Sequence, residues 1–220
     1  MTDDRGSAAL EAARLYEANI VRFLRDLIAI PAESGHEGDR CERVRREYEA
    51  LGFDEVFFDD LGTVVGRIGS GDFKILFDGH IDCVGVGDIA NWDFDPFPGK
   101  LENGEIWGRG AADELPALAA YCYALSSWRE ARSVLQGIER DSLTGWSDDV
   151  GNRRPHPVYA VEALLATELP HPPLTLLFTV GEERGLAGSR HVELDRLGDP
   201  ELGFNVDSSQ PERLIVGAVG

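Results

Sequence analysis

Cysteine is scarce in this 220-residue chain: Cys41, Cys83 and Cys122 are the three, and none forms a CxxC pair. An odd, widely spaced set excludes a disulfide framework and a thiolate zinc finger. It suits a reducing compartment, so a cytoplasmic location is expected. Long apolar runs are missing too. None approaches the roughly 18 residues that a membrane-spanning helix requires, and Met1-Thr2-Asp3-Asp4 opens without the apolar segment of a secretory signal, so no membrane partner is expected. Lysine is almost absent: Lys74 and Lys100 accompany 19 arginines, against 40 acidic residues. The resulting net charge of −19 repels phosphate backbones and argues against a nucleic-acid partner. The acid is spread along the chain and does not form a tail. We therefore expect a halophile-type surface, whose stability would rise between low and molar salt as self-repulsion is screened.

Apolar spacing outlines the organisation. Residues 7–30 carry Leu10, Ala13, Ile20, Phe23, Leu24, Leu27 and Ile28 at helical steps up to Pro31, and 37–51 repeat the pattern with Cys41, Val44, Tyr48 and Leu51 before Gly52. Short β-type runs follow at Val56–Phe58, Thr63–Val65 and Phe73–Phe77, with a hairpin expected around Asn103-Gly104. A helix is expected over 116–128, a buried strand over Leu174–Val180, a short helix over Val192–Leu197, and strands at Phe204–Val206 and Leu214–Val219. Strands alternating with helices predict one α/β domain with a largely parallel sheet. Residues 129–157 break the rhythm and read as a long surface excursion.

Four segments carry chemistry. Asp78-Gly79-His80-Ile81-Asp82 ends a β-run with an imidazole and, two residues on, a carboxylate. It reads either as a hydrogen-bonded pair or as a metal ligand with a carboxylate behind it. Gly108-Arg109-Gly110 lacks the third glycine of a dinucleotide loop. The aspartate that follows, Asp113, is either a helix N-cap or a carboxylate bridging two metal ions. Glu182-Glu183 follows the most apolar strand; the pair is a solvated turn, or else one ligand and one general base acting beside a metal. Asp207 ends another β-run and says little alone. Taken together, the four segments supply one imidazole and several carboxylates at the ends of apolar runs. In a parallel sheet these would meet on one edge, and the mix suits a pair of zinc, cobalt or manganese ions.

The segments FDGHIDCVGVGD, WDFDPFPGKLENGEIWGRGAADELPALAA and LLFTVGEERGLAGS, in this order and spacing, resemble the co-catalytic zinc metallopeptidase family of aminoacylase, acetylornithine deacetylase, succinyl-diaminopimelate desuccinylase, carboxypeptidase G and peptidase T. The resemblance implies a three-layer α/β/α catalytic domain with a central, largely parallel or mixed sheet. It also implies two divalent metal ions and hydrolysis of the amide bond in N-acyl amino acids or small peptides. By it, His80 and Asp207 hold one ion, Asp113 bridges both and Glu183 holds the second. Asp82 steadies the site from behind, and Glu182 is the general base.

Two departures accompany it. Glu114-Leu115-Pro116 stands where the family usually has Met-Lys-Gly-Gly, which is expected to alter the first helical turn and the pocket floor. Family members also continue into a dimerisation domain and then return to supply a last histidine ligand. This chain is thus expected to be the N-terminal part of the catalytic domain, with the dimerisation (lid) domain absent. His36, His156, His171 and His191 match no such ligand. The alternative function is a non-catalytic half that binds metal or a complementing C-terminal half, with a homo-oligomer as a further possibility.

Overall fold

The computed structural model describes residues 14, 16–70, 74–124, 173–205 and 207. Helix α1 (Glu17–Ala29) buries Phe23, Leu24, Leu27 and Ile28, the i, i+1, i+4, i+5 stripe that a 3.6-residue period places on one face. The expected start of this helix, before residue 14, lies outside the described residues. Helix α2 (Gly38–Ala50) buries Cys41, Val44 and Tyr48 and ends as its Gly52 signal predicts. The Gly52 N–H reaches Glu49 O and the Phe53 N–H reaches Tyr48 O, satisfying the last carbonyls.

Strands β1 (Glu55–Phe58), β2 (Val64–Ile68) and β3 (Ile75–His80) follow. A separate hairpin, β4 (Lys100–Glu102) and β5 (Glu105–Trp107), turns on Asn103 and Gly104. Their φ values of 53° and 81° are the pair a tight primed turn demands. Residues 115–124 form the described part of helix α3. Then come β6 (Leu174–Thr179), helix α4 (Ala187–His191) and β7 (Leu202–Asn205).

The main sheet has the order β1-β2-β6-β3-β7. It is mixed: β6, β3 and β7 run parallel, whereas β2 is antiparallel to both β1 and β6. One face, presenting Val64, Ile68, Ile75, Phe77, Leu174, Leu176 and Phe178, packs against α1, α2 and α3 in a single core. The opposite face is closed by Val65 and Leu177 against Leu197, with Val192 beside them. Helices and turns thus flank the sheet on both sides, the three-layer arrangement expected.

One element differs from expectation. The short helix is Ala187–His191, and residues 194–198 make turns where a helix over Val192–Leu197 was predicted. The apolar spacing there serves the second sheet face: Leu197 plugs Val65 and Leu177 from a turn that ends at Gly198 and Asp199 with positive φ. The excursion at 129–157 and the strand expected at Leu214–Val219 lie outside the described residues.

Gly188 locks α4 onto the end of β6. Its N–H bonds Val180 O, and a Cβ there would lie 2.6 Å from that oxygen and 2.8 Å from Val180 N. Backbone atoms cannot swing aside, so Gly188→Ala is expected to cost about 1–3 kcal/mol through overpacking, read as a lowered denaturation midpoint. An unchanged midpoint would show that α4 is not held against β6.

Candidate metal centre

The register brings three of the four chemistry-bearing segments to one edge. His80 pairs with Thr179, and Asp78 pairs with Asn205, so β3, β6 and β7 end side by side. Beyond those ends the chain places His80 and Asp82, Glu182 and Glu183, and Asp207, at the carboxyl edge where α/β sheets build their sites. Asp113 arrives differently. It comes from the turn before α3 and not from a strand end.

His80 is 2% exposed. Its Nδ1 lies 2.9 Å from the Asp82 backbone oxygen; a carbonyl only accepts, so Nδ1 carries the proton and Nε2 faces the site. Nε2 lies 3.1 Å from Asp113 Oδ1 and 3.7 Å from Glu114 Oε2. Burial alone would depress its pKa, but the carboxylates of Asp82, Glu114 and Asp113 outweigh it and hold the imidazole up at about 10.

Asp82 is fully buried. Its Oδ1 accepts the Glu182 N–H (3.0 Å), and its Oδ2 accepts the Glu183 N–H (3.2 Å) and the Ser34 hydroxyl (2.6 Å). Burial opposes its charge, yet His80 and these donors keep the carboxyl down at about 2. The side chain expected behind His80 therefore also holds the backbone of both glutamates, with Oδ1 3.6 Å from His80 Nδ1.

Two groups of potential ligand atoms form, each within 4.8 Å: His80, Glu182 and Asp207, and His80, Asp113 and Glu183. All five residues anticipated around the ions thus gather at one place. Glu182 is half-buried, and its carboxyl is pushed up by burial and by the charges of Asp207, Glu183 and Asp82, against the pull of His80. Glu183, Asp113 and Asp207 are exposed.

Sequence reading missed Glu114 as part of this centre. It is 4% exposed, its Oε2 accepts the His80 backbone N–H at 2.8 Å, and its Oε1 has no hydrogen-bond partner among the described residues. Burial, with the charges of Asp207 and Asp78, raises its pKa to about 8 against the His80 bond and charge. It fits because Gly79 has no side chain: a Cβ there would stand 2.8 Å from Glu114 Oε1 and 2.7 Å from Leu118 Cδ2. The only sequence signal was the departure at Glu114 itself.

A mixed α/β sheet thus brings an imidazole and converging carboxylates together at its parallel strand ends, a donor set that could hold a divalent ion. The comparisons carry this further. Residues 76–138 match Peptidase family M20/M25/M40. The Escherichia coli protein YgeY is 46% identical over 115 residues, covering 52% of this chain and 28% of that one. The succinyl-diaminopimelate desuccinylase of Beijerinckia indica is 34% identical over 128 residues, covering 55% and 33%. The crystal structure of human carnosine dipeptidase 1 shares the fold with a TM-score of 0.67 at 16% identity, over 92% of this chain and 41% of that one. These likenesses support kinship with the M20/M25/M40 peptidase family over the matched segments. The matched segments are about a third of the length of these curated relatives. Among the described residues, no helix is long and apolar enough to cross a membrane.

Proposed function

We propose that this chain builds the metal centre of an amide-bond hydrolase acting on N-acyl amino acids or small peptides. The observation that carries the reading is the pair of ligand groups meeting at His80. One imidazole among carboxylates is a donor set for divalent ions, zinc first, with cobalt or manganese as the alternatives. Burial raises the Glu114 pKa to about 8, and a cation held nearby would favour its charged form.

His80, Asp113, Glu183 and Asp207 would hold the ions, Asp113 between them. When bound, such ions polarise the scissile carbonyl and acidify water. The chain's own residues do the rest. The Asp82 carbonyl fixes the His80 tautomer so that Nε2 faces the site. Glu182, with its carboxyl raised above the usual range by burial, is the group suited to take the proton of the attacking water and return it to the departing amine.

A second reading rests on a specific feature. Both groups draw on the same imidazole, and one Nε2 serves one ion. Such a centre holds a single ion until a complementing segment or partner chain brings another ligand, and until then the chain binds metal without turnover.

Elemental analysis of chain stripped and then reloaded with zinc in high salt separates the two. About two ions per chain, with hydrolysis of N-acyl amino acids, is the expected result. One ion without turnover supports the second reading, and no bound ion overturns both.

A further inference from the structure

Three polar side chains on the loop before α2 and on its first turn are buried although none belongs to the ligand set. Ser34, Glu37 and Arg40 are 4%, 6% and 0% exposed. Each bonds to a segment of the centre. Ser34 donates to Asp82. Arg40 Nη1 donates to Ile81 O at 2.7 Å, between His80 and Asp82, while Nε and Nη2 grip Ile30 O. Glu37 Oε1 accepts the Gly181 N–H at 3.0 Å, together with the Gly35 N–H at 2.8 Å.

The Glu37 contact completes a pattern. Gly181 is left-handed, with φ 66° and ψ 32°, so the chain turns sharply out of β6 there. Its N–H and the next two, of Glu182 and Glu183, are all taken by buried carboxylates: Glu37 for the first, Asp82 for the others. Asp82 lies two residues beyond His80 on the β3 side, whereas Glu37 stands at the N-cap of α2. The N–H groups of the turn are thus held by side chains from two directions, and without Glu37 only Asp82 holds them, beside the backbone bonds from 185–188 to Val180, Gly181 and Glu182.

We propose that Glu37 is a positioning residue: it sets the Glu182–Glu183 turn against the His80–Asp82 loop, so that carboxylates and imidazole meet at ligand distance. The inference rests on the metal reading above. Groups behind a metal's ligands commonly change its affinity by about 10–100-fold when removed. The role is that of a hydrogen-bond acceptor. Both donors fall on the single oxygen Oε1, so a glutamine can replace Glu37, whereas a leucine of similar size cannot.

The test is Co2+ binding to the full chain, followed by its visible absorption spectrum, in the parent and in Glu37→Leu, Glu37→Gln and Glu37→Asp. Glu37→Leu is expected to weaken Co2+ binding at least tenfold and to shift the spectrum. Glu37→Gln should stay within about twofold of the parent with an unchanged spectrum. Should the leucine variant not fold, Glu37→Asp keeps the charge but draws the oxygen back by one methylene, and it is expected to show the same spectral shift with native far-ultraviolet dichroism. A purely structural role would lower the urea midpoint and leave the spectrum of the bound ion unmoved, which overturns the proposal. Glutamine behaving like leucine also overturns it, by making the charge the active property. A parent chain that binds no Co2+ defeats the metal reading itself, whereas a binding parent matched by Glu37→Leu defeats only the positioning role.

Discussion

Glu182→Gln is expected to lower turnover by about 10²–10⁴-fold, the usual contribution of a positioned general base, while bound metal stays at the parent level. Glutamine keeps the size and the hydrogen-bonding oxygen of the side chain but cannot take a proton. The choice of residue needs the test because the structure offers Glu182 two roles. Its carboxylate belongs to one ligand group with His80 and Asp207, and Glu183 belongs to the other with Asp113. Burial and like charge separate the neighbours: Glu182 is half-buried with a raised pKa, whereas Glu183 faces solvent. A raised carboxyl has the greater proton affinity that a base requires. Glu183→Gln should give the opposite result, lost metal with lost turnover. If Glu182→Gln sheds an ion and Glu183→Gln keeps both, the two assignments are exchanged. If Glu182→Gln retains full hydrolysis, Glu182 is not the base.

What the sequence revealed and what it hid divide along a physical line. His80, Glu182 and Asp207 were legible because each stands just past an apolar β-run, and parallel pairing of β3, β6 and β7 brings such positions together. The Asn103-Gly104 turn was legible because few residue pairs accept two positive φ angles in succession. Helix α2 was legible only in part. Its apolar residues mark the inner face, but Arg40 and Glu47 within the helix and Glu37 at its N-cap are buried as well. A hydropathy pattern assigns charged residues to solvent, and their partners are backbone groups or side chains distant in sequence. Glu47 is held by Arg43 and by Tyr123, 76 residues away, and Arg40 by carbonyls of Ile30 and Ile81. Glu114 was hidden for the same reason: a glutamate at a helix start is normally a solvated residue, and only Gly79 opens the space that buries it.

Asp82→Ala is expected to destabilise the metal-stripped chain by about 3–5 kcal/mol, the usual cost of removing one member of a buried ion pair, out of a total of about 5–15 kcal/mol for a domain. Alanine leaves the Glu182 and Glu183 N–H groups and the Ser34 hydroxyl without their acceptor, and leaves buried His80 without the compensating carboxylate 3.6 Å from its Nδ1. The same pair dictates a pH window. The Asp82 carboxyl is lowered from 3.8 to about 2, so its contribution is present above about pH 4 and is lost as pH falls through 2. His80 is raised from 6.5 to about 10, so its contribution is complete below 6.5 and is lost as pH rises through 10. For the stripped chain, the pair therefore supports the fold most strongly between about pH 4 and 6.5. Zinc should reverse the alkaline side. An ion on Nε2 requires the neutral ring, so loading becomes more favourable over the range in which the proton leaves, and the zinc-loaded chain should hold its denaturation midpoint to higher pH than the stripped one. Urea midpoints measured from pH 3 to 10, with and without zinc, check both limbs. A midpoint in Asp82→Ala within about 0.5 kcal/mol of the parent, the range of an ordinary surface change, would mean that Asp82 does not tie the two halves of the centre together.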